Sequence, residues 1–121
     1  MLRERMIGTW RLSEFRFTDA DGNPGRPEDG PKQGRMEYTE DGHMATATRQ
    51  SDGTYFSYFG EFELDGDVVQ HHIEIAADPK LDGTTTRRDV SFEGDKLVLT
   101  ANPPVLGGPG SKASLVWVKI E

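Results

Sequence analysis

Imidazole, guanidinium and phenol groups can hold an oxygen-bearing small molecule or move a proton on it. The chain has three histidines and three tyrosines, and His71 and His72 stand side by side in VVQHHIEI, Val68 to Ile75. Successive side chains on a strand point to opposite faces, so the two cannot share a task. In the run Val68 to Ala76 the odd positions Val69, His71, Ile73 and Ile75 are the more apolar set, which puts His71 inside and His72 in solvent with Gln70 and Glu74. The same test turns Phe56, Tyr58, Gly60, Phe62 and Leu64 inward in YFSYFGEFEL, Thr86, Arg88, Val90 and Phe92 in TTRRDVSF, and Met36 and Tyr38 in RMEYT.

His71, Arg88, Tyr58 and Tyr38 thus converge on one interior, walled by Met36, Phe56, Phe62, Val69, Ile73, Val90 and Phe92. A few polar groups in an apolar pocket suit a small molecule with a carbonyl or carboxylate. His71 can move a proton near neutral pH, Arg88 can hold a carboxylate or a developing enolate oxygen, and Tyr58 can donate to a carbonyl. As chemistry, that is cofactor-free isomerisation, cyclisation or dehydration. The same groups can also hold a ligand without turning it over, or satisfy one another in a filled interior, because buried polar groups need partners.

The elements that carry these residues read as strands nearly everywhere. Eight period-two runs are predicted: Ile7 to Phe17, Arg35 to Thr39, His43 to Arg49, Tyr55 to Leu64, Val68 to Ala76, Thr85 to Phe92, Lys96 to Ala101 and Ala113 to Ile120. Short Asp/Gly turns such as EDG, SDG, DGD and EGD separate most of them. Two connections are longer and rich in Gly and Pro: Asp19 to Gly34, a candidate lid, and NPPVLGGPGS before the last run. Leu97 and Leu99 face in, whereas the inward sets of the third and last runs stay open between two alternatives each. MLRERM is the only helical candidate, too short to stand alone but able to cap a barrel end.

Composition bounds the rest. At 121 residues the chain is predicted to be one domain, 1–121. With 34% hydrophobic residues and a mean hydropathy of −0.66, apolar side chains must be used sparingly, as a closed barrel with one face in and one out allows. A net charge of −7 repels phosphates and speaks against nucleic acid. There is no cysteine, hence no disulfide, thiolate metal site or cysteine nucleophile. No run approaches the ~20 apolar residues of a membrane span and none reads as a signal peptide, so a cytoplasmic protein is expected, with neither membrane partner nor cofactor.

Other motifs are weaker. His72 and Glu74 share a face, but two ligands on a solvated strand are too few for a metal, and no metal site is predicted. GGPGSK lacks the spacing of a phosphate loop and precedes a strand. The Asp-Gly turns lack the EF-hand spacing, and Ser57 and Ser91 have no identifiable triad partners.

GTW at Gly8 to Trp10 on the first strand and WVK at Trp117 to Lys119 on the last are similar to the paired ends of calycin barrels. GRMEYTEDGHM, YFSYFGEFELDGDVVQHHIEI and GTTTRRDVSFEGDKLVLT, in that order, resemble the lipocalin-like domain family of short bacterial and fungal chains. The resemblance spans nearly the whole chain, with Gly8, Trp10, Tyr38, Tyr58, His71 and Arg88 among the matching residues. Two departures stand out. Lys119 replaces the usual arginine and lacks its planar face for stacking on Trp10, and Phe62 replaces a common tyrosine.

The resulting expectation is an all-β, eight-stranded, up-and-down antiparallel barrel that binds a small, largely apolar carbonyl- or carboxylate-bearing molecule. An isomerase, cyclase or dehydratase using His71 and Arg88 is the first alternative, set by the resemblance in secondary metabolism. A structural or dimerising barrel is the second, so a homodimer stays open.

Overall fold

The computed structural model describes residues 2–19, 21–25, 30–101 and 111–120. Strands β1 (Gly8–Thr18), β2 (Gln33–Tyr38), β3 (His43–Arg49), β4 (Tyr55–Asp65), β5 (Val68–Ala76), β6 (Thr85–Glu93), β7 (Lys96–Ala101) and β8 (Lys112–Lys119) follow a short helix, α1 (Leu2–Met6). They form a closed barrel in chain order, each strand antiparallel to the next and β8 returning to β1. Closure leaves no edge strand to template association. The expected runs differ from these strands by at most two residues at either end. The residue 102–110 connection, with most of the GGPGSK stretch, and residues 20 and 26–29 of the candidate lid lie outside the described residues. Among the described residues no helix is long and apolar enough to cross a membrane.

The turns are built as their residues require. β4 to β5 and β6 to β7 are joined by two residues each, Gly66-Asp67 and Gly94-Asp95, and both glycines have φ of 62° while among the described residues no other residue type has positive φ. Positive φ at the first central position alone is the type II′ hairpin turn, whose twist matches that of the strands. The DPKLDG connection contains a single 3-10 turn, Pro79–Leu81, capped by the Asp78 side chain accepting from the Lys80 N–H. That turn was not foreseen, being shorter than any periodicity can reveal.

Two bulges set which side chains enter the barrel. Between β1 and β8 the register slips at Ser13, so Trp10 and Leu12 face in before it and Phe15 and Phe17 after it. Between β4 and β5 it slips at Glu74, pairing Phe59 with Ile75 and Gly60 with Ile73. This corrects the expected inward place of Ile75: it is half-exposed on the outside, and Ala76, opposite Tyr58, turns in. Gly60 permits the bulge, because a Cβ there would overlap the carbonyl oxygen of His72.

The open alternatives close as follows. Met44 and Thr48 of β3 and Trp117 of β8 are buried, with Thr46 and Leu115 on the same inner face. Val116 and Val98 point outward yet are only 0% and 5% exposed. On the same outer side the guanidinium of Arg16 on β1 reaches Glu14 at 2.7 Å and Glu93 of β6 at 2.6 Å, spanning β8 and β7.

One barrel end is sealed. Met6 of α1 and Trp10 are buried, and the Trp10 indole N–H donates to Met6 O at 2.8 Å. Arg5 lies 3.8 Å from the Phe92 ring centre and Arg3 5.3 Å from that of Phe62. The helix predicted as a cap therefore sits as one, pinned by cations over aromatic faces and by Arg3 and Arg5 donating to the carbonyls of Glu40 and Gly94.

Candidate functional site

The other half of the barrel is hollow. A cavity of about 540 Å³ opens there, bordered by Phe15 and Phe17 of β1, Met36 of β2, Phe56 and Tyr58 of β4, Leu99 of β7 and Leu115 and Trp117 of β8. Gly25, Gly30 and Pro31, from the connection proposed as a lid, border its mouth. Gly30 packs so closely on the Phe15 ring that a Cβ would overlap it, so this flank of the connection rests on the aromatic rim. A filled interior, one of the three readings of the sequence, does not describe this barrel.

His71 lies in the cavity wall, almost fully buried, with both ring nitrogens engaged. The Tyr38 hydroxyl is 2.6 Å from Nε2 and the Tyr58 hydroxyl 2.7 Å from Nδ1. Burial, helped by the nearby positive charge of Arg88, pulls the His71 pKa down to about 3. Imidazole is therefore neutral at physiological pH. Burial likewise pushes both phenols up, Tyr38 the further, and keeps them protonated.

Arg88 enters the same cavity from β6. Its register partner on β5 is Val69, while His71 faces Thr86, so Arg88 stands diagonally from the histidine rather than directly opposite it. Its Nη1 donates to its neighbour's carbonyl, Arg87 O, at 2.8 Å. Among the described residues no carboxylate lies within ion-pair distance of it. Two buried side-chain polar atoms among the described residues make no hydrogen bond, Thr86 Oγ1 and Trp117 Nε1, one beside the histidine and one on a cavity residue.

Of the residues selected from the sequence, Met36, Phe56, Tyr58, His71 and Arg88 meet at the cavity. Tyr38, Phe62, Val69, Val90 and Phe92 do not border it and face in toward the sealed end, and Ile73, two residues past His71 on β5, faces in without bordering it. Tyr38 lies behind His71 with its ring 4.7 Å from that of Phe62. Alternation gives the face of a strand and not the height along it, and height is what separates the two sets. Phe15, Phe17, Leu115 and Trp117 were not selected. The apolar spacing of β1, Trp10, Leu12, Phe15 and Phe17, carries the signal in its one step of three. His72, outside, pairs with Glu63 at 2.6 Å and Thr85 at 2.9 Å.

A closed antiparallel barrel, sealed at one end and hollow at the other, with a handful of polar groups in an apolar wall, defines a lipocalin-like barrel. The chain belongs to the lipocalin-like domain family, whose model matches residues 47–120. Solved structures agree on the fold. A lipocalin-like protein from Bacteroides uniformis superposes with a TM-score of 0.56 at 15% identity, covering 96% of this chain and 99% of that one. A redesigned β-barrel gives 0.53 at 17% identity, over 98% and 95%. An uncharacterized protein from Bacteroides eggerthii gives 0.53 at 15%, over 94% and 98%. No curated protein matches the sequence.

Proposed function

We propose that the protein binds a small, largely apolar molecule carrying a carboxylate or carbonyl oxygen, with the apolar body in the hollow end of the barrel and the oxygen at Arg88 and Tyr58. The observation that carries this reading is Arg88: a guanidinium in the wall of a 540 Å³, mostly apolar cavity without a carboxylate partner among the described residues. An unpaired cation beside low-dielectric walls is costly, and an incoming anion or carbonyl relieves it. The chain's charge of −7 offers no long-range attraction to anions, so the guanidinium must supply the affinity locally.

Catalysis by His71 has less support. An imidazole with a pKa near 3 and both nitrogens occupied is a poor base at neutral pH, where a pKa close to 7 serves best. A setting in bacterial or fungal secondary metabolism rests on the family resemblance alone.

Calorimetric titration with decanoate and with 2-undecanone tests the binding reading. Arg88→Met should weaken decanoate by about tenfold or more, the worth of a hydrogen bond to a charged group, and change 2-undecanone much less. Equal loss of both, or retained decanoate affinity, would remove Arg88 as the anchor.

A further inference from the structure

The Tyr38, His71 and Tyr58 chain has a direction, and the direction decides what the cavity can recognise. Neutral imidazole carries one N–H, so one of its two tyrosine contacts is N–H donating to a phenol oxygen and the other is a phenol O–H donating to nitrogen. In one arrangement Nε2–H donates to Tyr38. The Tyr38 proton then needs another acceptor, yet this residue is 1% exposed and His71 is the only hydrogen-bond partner of its hydroxyl among the described residues. In the other, Tyr38 O–H donates to Nε2 and Nδ1–H donates to the Tyr58 oxygen. The Tyr38 O–H and the imidazole N–H are then both used, and the proton left over is that of Tyr58, which borders the cavity.

We propose that Tyr38, acting through His71, fixes the Tyr58 hydroxyl as a hydrogen-bond donor to the cavity, so that the site favours ligands with an acceptor oxygen and disfavours those that can only donate. This rests on the small-molecule reading above and sharpens its ligand class. Tyr38 touches no ligand; it is a positioning residue one histidine removed from the site. Thr86 Oγ1 lies buried beside the Tyr58 hydroxyl, and against the burial that raises the Tyr58 pKa its influence is to lower it, the direction of a donor toward the phenol oxygen and not of an acceptor for its proton. Arg88, with one N–H spent on Arg87 O, adds further N–H donors and no acceptor, so both Arg88 and Tyr58 ask for the same thing.

The test has two parts. Nitrogen-15 NMR of histidine-labelled protein at neutral pH, with His71 assigned by its loss in His71→Gln, should show Nδ1 protonated and Nε2 bare; an Nε2–H tautomer or an imidazolium overturns the proposal. Tyr38→Phe deletes only a hydroxyl remote from the cavity. It should release the histidine to the opposite tautomer, with Tyr58 now donating to Nδ1 and turning its oxygen lone pairs outward.

Two matched probe pairs read that reversal: α-tetralone against tetralin for an acceptor, and indole against indene for a donor. In Tyr38→Phe the tetralone preference should fall about fivefold or more and the indole preference should rise. A purely structural loss would weaken all four probes alike. Unchanged ratios, or a retained Nδ1–H in the variant, would overturn the role of Tyr38. If no probe binds the parent protein while the Nδ1–H tautomer is seen, the relay stands and the small-molecule reading falls.

Discussion

The two ends of this barrel are made from the same eight strands and the same inward alternation, yet one is solid and the other hollow. At the sealed end α1, Trp10, Leu97 and Phe92 fill the bore, and the cations of Arg3, Arg5 and Lys119 sit over aromatic rings. At the hollow end aromatic rings line the bore beside Met36, Leu99, Leu115 and the small Ala101 and Ala113, and the space between them stays unfilled. His71 marks the boundary. It ties a tyrosine of the solid half to a tyrosine of the hollow half, which makes it part of the core and part of the cavity wall. In a chain this poor in apolar residues, one well-packed end carries stability so that the other can keep a cavity.

The largest test of that boundary is acid. His71 has a folded pKa of about 3 against an ordinary 6.5, so between these values the unfolded chain binds a proton that the folded one refuses. Stability is then undiminished above about pH 6.5 and falls as pH drops, by about 1.4 kcal/mol per pH unit. Glu14 and Glu93, held low by their bonds to Arg16, add their own losses only toward pH 4 and below. His43, raised by Asp41, tilts the other way but is exposed and acts in parent and variant alike. Urea unfolding at pH 6.5 and pH 4.5 should therefore show the parent losing about 2 kcal/mol more than His71→Gln over this interval. Parallel pH profiles would mean that His71 titrates normally and that the boundary is wet.

A matched pair of truncations compares the ends directly. Leu97 is 0% exposed in the sealed core, and its loss to alanine should cost about 3 kcal/mol, the transfer term plus a cavity the neighbours cannot fill. Leu115, already beside the void, should lose about 1 kcal/mol on the same change, because much of its inner side has no packing partner to lose. Chemical denaturation of both variants checks the ordering. Equal costs would show that the hollow end collapses in solution.

Much of this was legible in the sequence, for a definite reason. Alternation together with Asp-Gly turns gives strand number, order and facing, and through facing it finds His71, Tyr58 and Arg88. It cannot find height. That is why Tyr38, Val69 and Phe92 were grouped with residues that lie nearer the other end. Ile75 was misplaced because a bulge reverses facing after Glu74, and the only trace of it in the sequence is Gly60 on the neighbouring strand. The step of three between Leu12 and Phe15 is such a trace too, and it leads straight to the aromatic rim.

The smallest effect concerns Lys119, whose Nζ lies 5.5 Å from the Trp10 ring centre at the sealed end. An ammonium there is strongly hydrated and presents a point charge, whereas a guanidinium can lie flat on the indole with less desolvation. Lys119→Arg should therefore raise stability by about 0.5 kcal/mol, roughly 2 °C in melting temperature for a chain of this size. Lys119→Met keeps the stem and removes the charge, and it should fall below the parent by a similar amount. The order Met, Lys, Arg in thermal unfolding would assign the contact to charge over the ring. If Met matches Lys, the stem alone covers Trp10, and the seal at this end owes nothing to the cation.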